Sequence, residues 1–258
     1  MNTPLHVDRR NAGGAGPPLV CLHGWGMNLC VFDELRDAMP ERESWAIDLP
    51  GHGRSEWQDA RAGFDPQVED ILAVLPPECV LLGWSLGGQI ALELAQRAPQ
   101  RIHALVLVST TPRFAQSPDW PHGMDADALQ TFSNSLLQDW RQTLGDFVWL
   151  QLRGGRHAEA TQQRVRIALN EHGAPRPEAL RAGMQLLGSL DLRAKVPGVA
   201  QRALLIAGQN DRVVPPAATR WLADTLPRGS FHQIPRAAHA SFLSHVEESV
   251  ALQRPFLS

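Results

Sequence analysis

The sequence predicts an α/β fold: a mostly parallel central sheet flanked by helices, with an all-helical cap, or lid, inserted into it. Three observations carry that expectation. Short runs rich in leucine and β-branched residues alternate with helix-length segments. Several of these runs are apolar throughout, as strands covered on both faces require. The alternation also stops between residues 112 and 192, where only helical spacing is found.

The expected strands are 18–22 (PLVCL), 45–48 (WAID), 80–82 (VLL), 105–108 (LVLV), 204–207 (LLIA) and 231–234 (FHQI). Helices are expected over 28–39, 66–75, 86–97, 216–226 and 244–253, and right-handed crossovers between parallel strands then give a doubly wound sheet. Within 112–192, Leu129, Phe132, Leu136, Trp140, Leu144, Phe147 and Val148 recur at intervals of three and four, which marks one apolar helix face. Further helices are expected over 161–170 and 177–190, set off by Gly154-Gly155 and by the prolines at 175 and 177. The division is a core of 1–111 and 193–258 with a cap of 112–192 between its halves.

The 258 residues are 43% hydrophobic and 20% charged, enough for one large core. A net charge of −3 gives no electrostatic basis for binding nucleic acid or an anionic membrane. Lys195 is the one lysine, so the positive charge is almost all arginine. Cys21, Cys30 and Cys79 are odd in number and lack metal-type spacing, which argues against a disulfide framework or a zinc site. The N-terminal stretch lacks a signal-peptide core, and no run approaches the ~20 apolar residues that span a bilayer. A cytoplasmic, monomeric protein without metal or cofactor is the expectation.

Gly83-Trp84-Ser85-Leu86-Gly87 fits G-x-S-x-G between a strand and a helix. Such a turn must be sharp enough to hold a hydroxyl above the sheet, so its flanks cannot be bulky. The following helix points unsatisfied N–H groups at the same place. Ser85 alone could equally be a helix cap. As a nucleophile it needs a base and a group that orients the base. Asp211, in GQND after a strand, and His239, in AAH after the next, follow in the order Ser, Asp, His. His103, His232 and His245 are weaker candidates for the base, and Asp191 is the rival acid. The loop His23-Gly24-Trp25-Gly26 follows the first apolar strand, where a second oxyanion donor belongs. The donors would be the backbone N–H groups of Trp25 and Leu86, with His23 pinning the loop. Pro50-Gly51-His52-Gly53-Arg54-Ser55 lacks phosphate-loop spacing and reads as a structural turn.

HGWG at 23–26, DLPGHGRS at 48–55, GWSLGG at 83–88 and AAHASFLSH at 237–245 resemble the α/β-hydrolase superfamily. Together with Trp25, Trp84 and FVWLQ at 147–151, the chain is similar more narrowly to the pimeloyl-[acyl-carrier protein] methyl ester esterase family of biotin biosynthesis. The resemblance covers essentially the whole chain. It implies the α/β-hydrolase fold and a cofactor-free serine carboxylesterase with an acyl-enzyme intermediate. It further implies a triad at Ser85, Asp211 and His239, and an acyl carrier protein as partner. Substrate contacts carry onto Trp25, Ser85, Leu86, Phe147, Val148, Trp149, Leu150, Gln151 and His239. On periodicity alone, Phe147 could equally be packing within the cap. The chain departs from the family at Ser241 and Val246, where prolines are common. Its cap arginines also do not align with the family's carrier-binding ones, although seven arginines face four acidic residues between Arg141 and Arg181. Two other readings fit the same residues: a short-chain esterase or C–C bond hydrolase of other specificity, and a non-catalytic ligand-binding protein on this scaffold.

Overall fold

A computed structural model describes residues 2–14 and 16–258. Seven strands form one sheet: β1 (Val7–Arg10), β2 (Leu19–Leu22), β3 (Ser44–Ile47), β4 (Cys79–Trp84), β5 (Ile102–Val108), β6 (Arg202–Gly208) and β7 (Gly229–Ile234). Their spatial order is β1-β3-β2-β4-β5-β6-β7, with only β1 antiparallel to its neighbour. All six strands read from sequence are present. β1 was not among them, for a physical reason: VDRR has one apolar residue and forms a half-exposed edge strand.

The sheet's centre follows from its residues. β2, β3 and β4 are buried at every position, as strands covered on both faces must be. Helix α3 (Leu86–Arg97) packs on β2, β4 and β5, and α8 (Pro216–Thr225) on β6 and β7. The other core helices are α1 (Asp33–Asp37), α2 (Phe64–Val74), α9 (Ser241–Ser244) and α10 (Val246–Leu257). Two expected helices are broken. Asn28 caps a 3₁₀ turn over Leu29–Phe32 before the short α1, where one helix over 28–39 was expected. At His245 a non-helical backbone (φ −139°, ψ 59°) separates α9 from α10, where one helix over 244–253 was expected.

Between β5 and β6 lie four helices: α4 (Ala126–Gln138), α5 (Trp140–Leu152), α6 (Ala158–His172) and α7 (Pro177–Ser189). The apolar face expected across 129–148 is divided at Asp139. That residue ends α4 and, through its carboxylate, accepts the Arg141 and Gln142 amides that begin α5. No helix of the described residues is long and apolar enough to cross a membrane.

The chain reverses direction between β2 and β4: β3 and β1 extend to one side, β5 to β7 to the other. Crevices for ligands form at such a switch point, beyond the carboxyl ends of the strands. The loop after β2 begins with His23 and the turn after β4 is Ser85, so both lie at that crevice.

Candidate active site

Ser85 sits at φ 55° and ψ −116°, a conformation that side chains rarely adopt, and it is 8% exposed. The glycines around it make this possible. A Cβ on Gly87 would lie 2.1 Å from the Leu22 carbonyl oxygen, so the first turn of α3 rests directly on the end of β2. A Cβ on Gly24 would stand 3.3 Å from the Ser85 Cβ, so the loop bearing Trp25 abuts the serine. Leu86 is the first residue of α3, and its amide has no acceptor within the helix.

Asp211 follows β6 by three residues and His239 follows β7 by five, at the same edge of the sheet. His239 Nδ1 and Asp211 Oδ2 are 2.9 Å apart and both side chains are buried. The other carboxylate oxygen, Oδ1, accepts the amides of Val213 and Val214, each at 2.9 Å. Those bonds fix the carboxylate and direct Oδ2 at the imidazole. With an acceptor on Nδ1, the proton belongs there, and Nε2 keeps its lone pair. Nε2 is buried and has no hydrogen-bond partner among the described residues. The imidazole is therefore buried and oriented, with Nε2 left as a free acceptor among the described residues.

Three contacts on His239 were not legible in the sequence. Trp84, the residue before Ser85, donates its indole N–H to the His239 carbonyl at 3.1 Å. Its ring lies 5.5 Å from the imidazole. The His239 amide in turn donates to the Gln151 carbonyl at 3.0 Å, so α5 holds the same residue as well. A backbone acceptor carries no residue signature, so no motif could have announced it.

His23 and His52 are pins. His23 Nε2 accepts the Leu49 amide at 3.0 Å, and its Nδ1–H donates to the Gly24 carbonyl at 2.8 Å. His52 Nε2 accepts the Gly26 amide at 3.3 Å, and its Nδ1–H donates to the Pro50 carbonyl. Burial holds both neutral, lowering His23 to about 3 and His52 below its ordinary value. The 50–55 turn thus braces the Trp25 loop, in line with a structural use of that turn.

The residues expected to contact substrate lie in different surroundings. Trp25 donates its indole N–H to the Leu180 carbonyl at 2.9 Å and meets Phe132 and Phe147 edge-on, at 5.5 and 5.0 Å. Phe147, Val148 and Gln151 are buried, Leu150 is half-buried, and Trp149 lines a groove between α5 and α6 with Val148, Arg141 and Arg166. Gln151 also buries its side-chain Nε2 without a partner among the described residues.

The rival groups are engaged elsewhere. Asp191 binds Arg193 and Arg113, and hydrogen bonds from Arg193 above all hold it down at about 2. His103 pairs with Glu78, His232 is exposed on β7, and His245 Nδ1 contacts the Ser244 hydroxyl. Burial pushes the thiols of Cys21 and Cys79 up to about 12 and Cys30 to about 11, so none competes as a thiolate.

A family model described as the α/β-hydrolase fold matches residues 17–246. The chain belongs to the α/β-hydrolase family. Within that family it is 40% identical to a pimeloyl-[acyl-carrier protein] methyl ester esterase from Nitrosomonas europaea, over 96% of this chain and 97% of that one. It is 39% identical to the esterase of the same name from Xanthomonas oryzae pv. oryzae, over 97% and 98%. Among solved structures, an esterase from Exiguobacterium antarcticum superposes with a TM-score of 0.90 at 22% identity, covering 99% of this chain and 96% of that one. A bromoperoxidase from Bacillus anthracis superposes at 0.89 and 20% identity, covering 99% and 95%. Those two likenesses concern the fold alone. The enzyme is a carboxylic ester hydrolase of this α/β-hydrolase family.

Proposed function

We propose that this enzyme is a serine carboxylesterase that removes the methyl ester from a pimeloyl chain carried on acyl carrier protein, releasing methanol. The observation that carries the chemistry is the buried Asp211–His239 pair with its Nε2 unpartnered among the described residues, together with a serine held in a strained turn. The substrate rests on the printed names of the relatives.

Ser85 Oγ attacks the ester carbonyl as His239 Nε2 takes its proton, and Asp211 stabilises the imidazolium without itself being protonated. The tetrahedral oxyanion is received by the Trp25 and Leu86 amides, whose stabilisation acts on charge present only in the transition state. His239 returns the proton to departing methanol, leaving pimeloyl on Ser85. A water then gives its proton to His239 and attacks the acyl carbonyl, and His239 passes that proton to Ser85 Oγ as the Oγ–acyl bond breaks and the free carboxylate leaves. Trp25, Phe147, Val148, Leu150 and Gln151 are proposed to wall the acyl chain, with Trp149 at the outer edge.

The 112–192 segment serves as the cap of this site, and its surface is proposed to meet the acidic carrier. Arg164, Arg156 and Arg181 are paired with Glu34, Glu248 and Glu178. Arg141, Arg153, Arg166 and Arg176 form no ion pair among the described residues, which leaves them for carrier carboxylates. The setting is proposed to be the cytoplasm, with the enzyme acting as a monomer.

Two measurements test this reading. Ser85→Ala is expected to lose nitrophenyl ester hydrolysis by on the order of 10⁴–10⁶-fold with an unchanged circular dichroism spectrum. Substantial turnover in that variant would remove Ser85 from the mechanism. The second measurement compares kcat/KM for the carrier-bound methyl ester and for free dimethyl pimelate. A clear preference for the carrier-bound form is expected, and equal values would remove the carrier from the proposal.

A further inference from the structure

His6, Asp48 and His172 meet away from the ester chemistry, where the sheet joins the inserted helices. Beyond the β1–β3 pair Val7↔Ile47, the His6 carbonyl accepts the Asp48 amide at 3.1 Å. Residues 6 and 48 are thus cross-strand neighbours on one face. Ser55 Oγ accepts the His6 amide at 2.9 Å and donates to the Asp48 carbonyl at 2.6 Å, which fixes both backbones. His172 is the last residue of α6, and Asn28 holds that helix end by donating to the Ala168 and Gly173 carbonyls at 3.1 and 3.2 Å. Its Nε2 lies 2.7 Å from Asp48 Oδ2, and its ring lies 5.4 Å from that of His6.

One donor atom from each of the three residues falls within 4.8 Å of the other two. The geometry points to a divalent metal site of the zinc class, with His6, Asp48 and His172 as ligands, that clips the cap onto the core. Two imidazoles and one carboxylate, with a position left for water, are the donor set such ions take. The carboxylate is already oriented: Oδ1 accepts the Leu29 amide at 2.8 Å and Oδ2 the Arg54 amide at 3.0 Å. An ion would stand where a proton now joins His172 and Asp48. A charged His172 would release that proton to water, and a neutral one would carry it on Nδ1. His172 also lines a cavity of about 410 Å³, in which Asp33, Glu34 and Glu171 outnumber Arg54 and Arg164. The site makes no use of Ser85 chemistry and stands apart from the esterase reading. Residues 6, 48 and 172 share no spacing, so the sequence carried no metal motif.

The test uses the full-length protein after chelator treatment, titrated with Zn²⁺ against a chromophoric chelator and with Co²⁺ by visible absorption. One ion per chain is expected, with a raised Tm and Co²⁺ bands free of the strong thiolate absorption that Cys30 would add. His6→Gln and His172→Gln should each weaken binding at least about tenfold, the lower end of what even an outer partner contributes. His6→Gln preserves the His172–Asp48 bond, so its loss of binding cannot be ascribed to a loosened cap. His103→Gln should bind as the unaltered chain does. Absence of saturable binding, or equal binding in His6→Gln and the unaltered chain, would overturn the site.

Discussion

The sheet and the inserted helices hold the same histidine in different ways. The core grips the His239 side chain through Asp211, itself fixed by two amides just beyond β6. The His239 backbone is gripped from both regions: Trp84 of β4 donates to its carbonyl, and the Gln151 carbonyl on α5 accepts its amide. Side-chain grip sets the tautomer and aim of the imidazole, whereas backbone grip sets where the residue stands. On the proposed mechanism the core governs proton transfer, while the insertion helps to set where His239 stands. Trp25 shows the same division, since its loop belongs to the core while its ring is fixed by Leu180, Phe132 and Phe147 of the insertion.

Changes on the core side should break the chemistry outright. Asp211→Asn is expected to lower kcat by about 10⁴-fold while the fold persists, because the amide favours the wrong tautomer. Asp191→Asn should leave kcat within about twofold and cost only the ~0–1 kcal/mol of an exposed ion pair. Steady-state kinetics on both variants decide between the two acids; a reversed result would move the acid to the end of the insertion.

Changes on the insertion side should spare the chemistry and damage placement. A Cβ on Gly183 of α7 would lie 2.6 Å from Trp25 Cδ1, so Gly183→Ala must displace that ring. A fall in kcat/KM of roughly 10–100-fold is expected, as small misplacements produce. The downfield imidazole proton between His239 and Asp211 should remain visible by NMR. If it disappears, the two regions are not separable.

A smaller effect concerns acid. His23 is held near 3 in the folded chain and returns to about 6.5 when unfolded. Between those values the unfolded state binds more protons, so stability is complete above about 6.5 and declines as pH falls toward 3. Denaturant melts across that window should show a shallower dependence in His23→Asn than in the unaltered chain. An identical slope would show that His23 is not the buried neutral group described.

Apolar runs and G-x-S-x-G located the strands and Ser85, because a doubly covered sheet imposes a continuous pattern. Asp211 and His239 were legible because their strands deliver them to one edge. β1 was not, since an edge strand needs little apolar surface. The division of one helical face at Asp139 was also missed. Its apolar spacing continues across the break, and only the carboxylate cap stops the helix. The Gln151 carbonyl and the His6–His172 meeting are purely tertiary, and no local pattern encodes them.

Ser85 combines a left-handed φ of 55° with a bulky β-carbon, and the molecule keeps both. Such a residue is a reservoir of strain of about 1–3 kcal/mol. Glycine would relax it, so Ser85→Gly should melt above Ser85→Ala, though both lack the proposed nucleophile. If the order is reversed, the turn is not strained. At this one position thermal endurance and turnover pull against each other, so selection for heat resistance alone would favour a more durable and inert molecule.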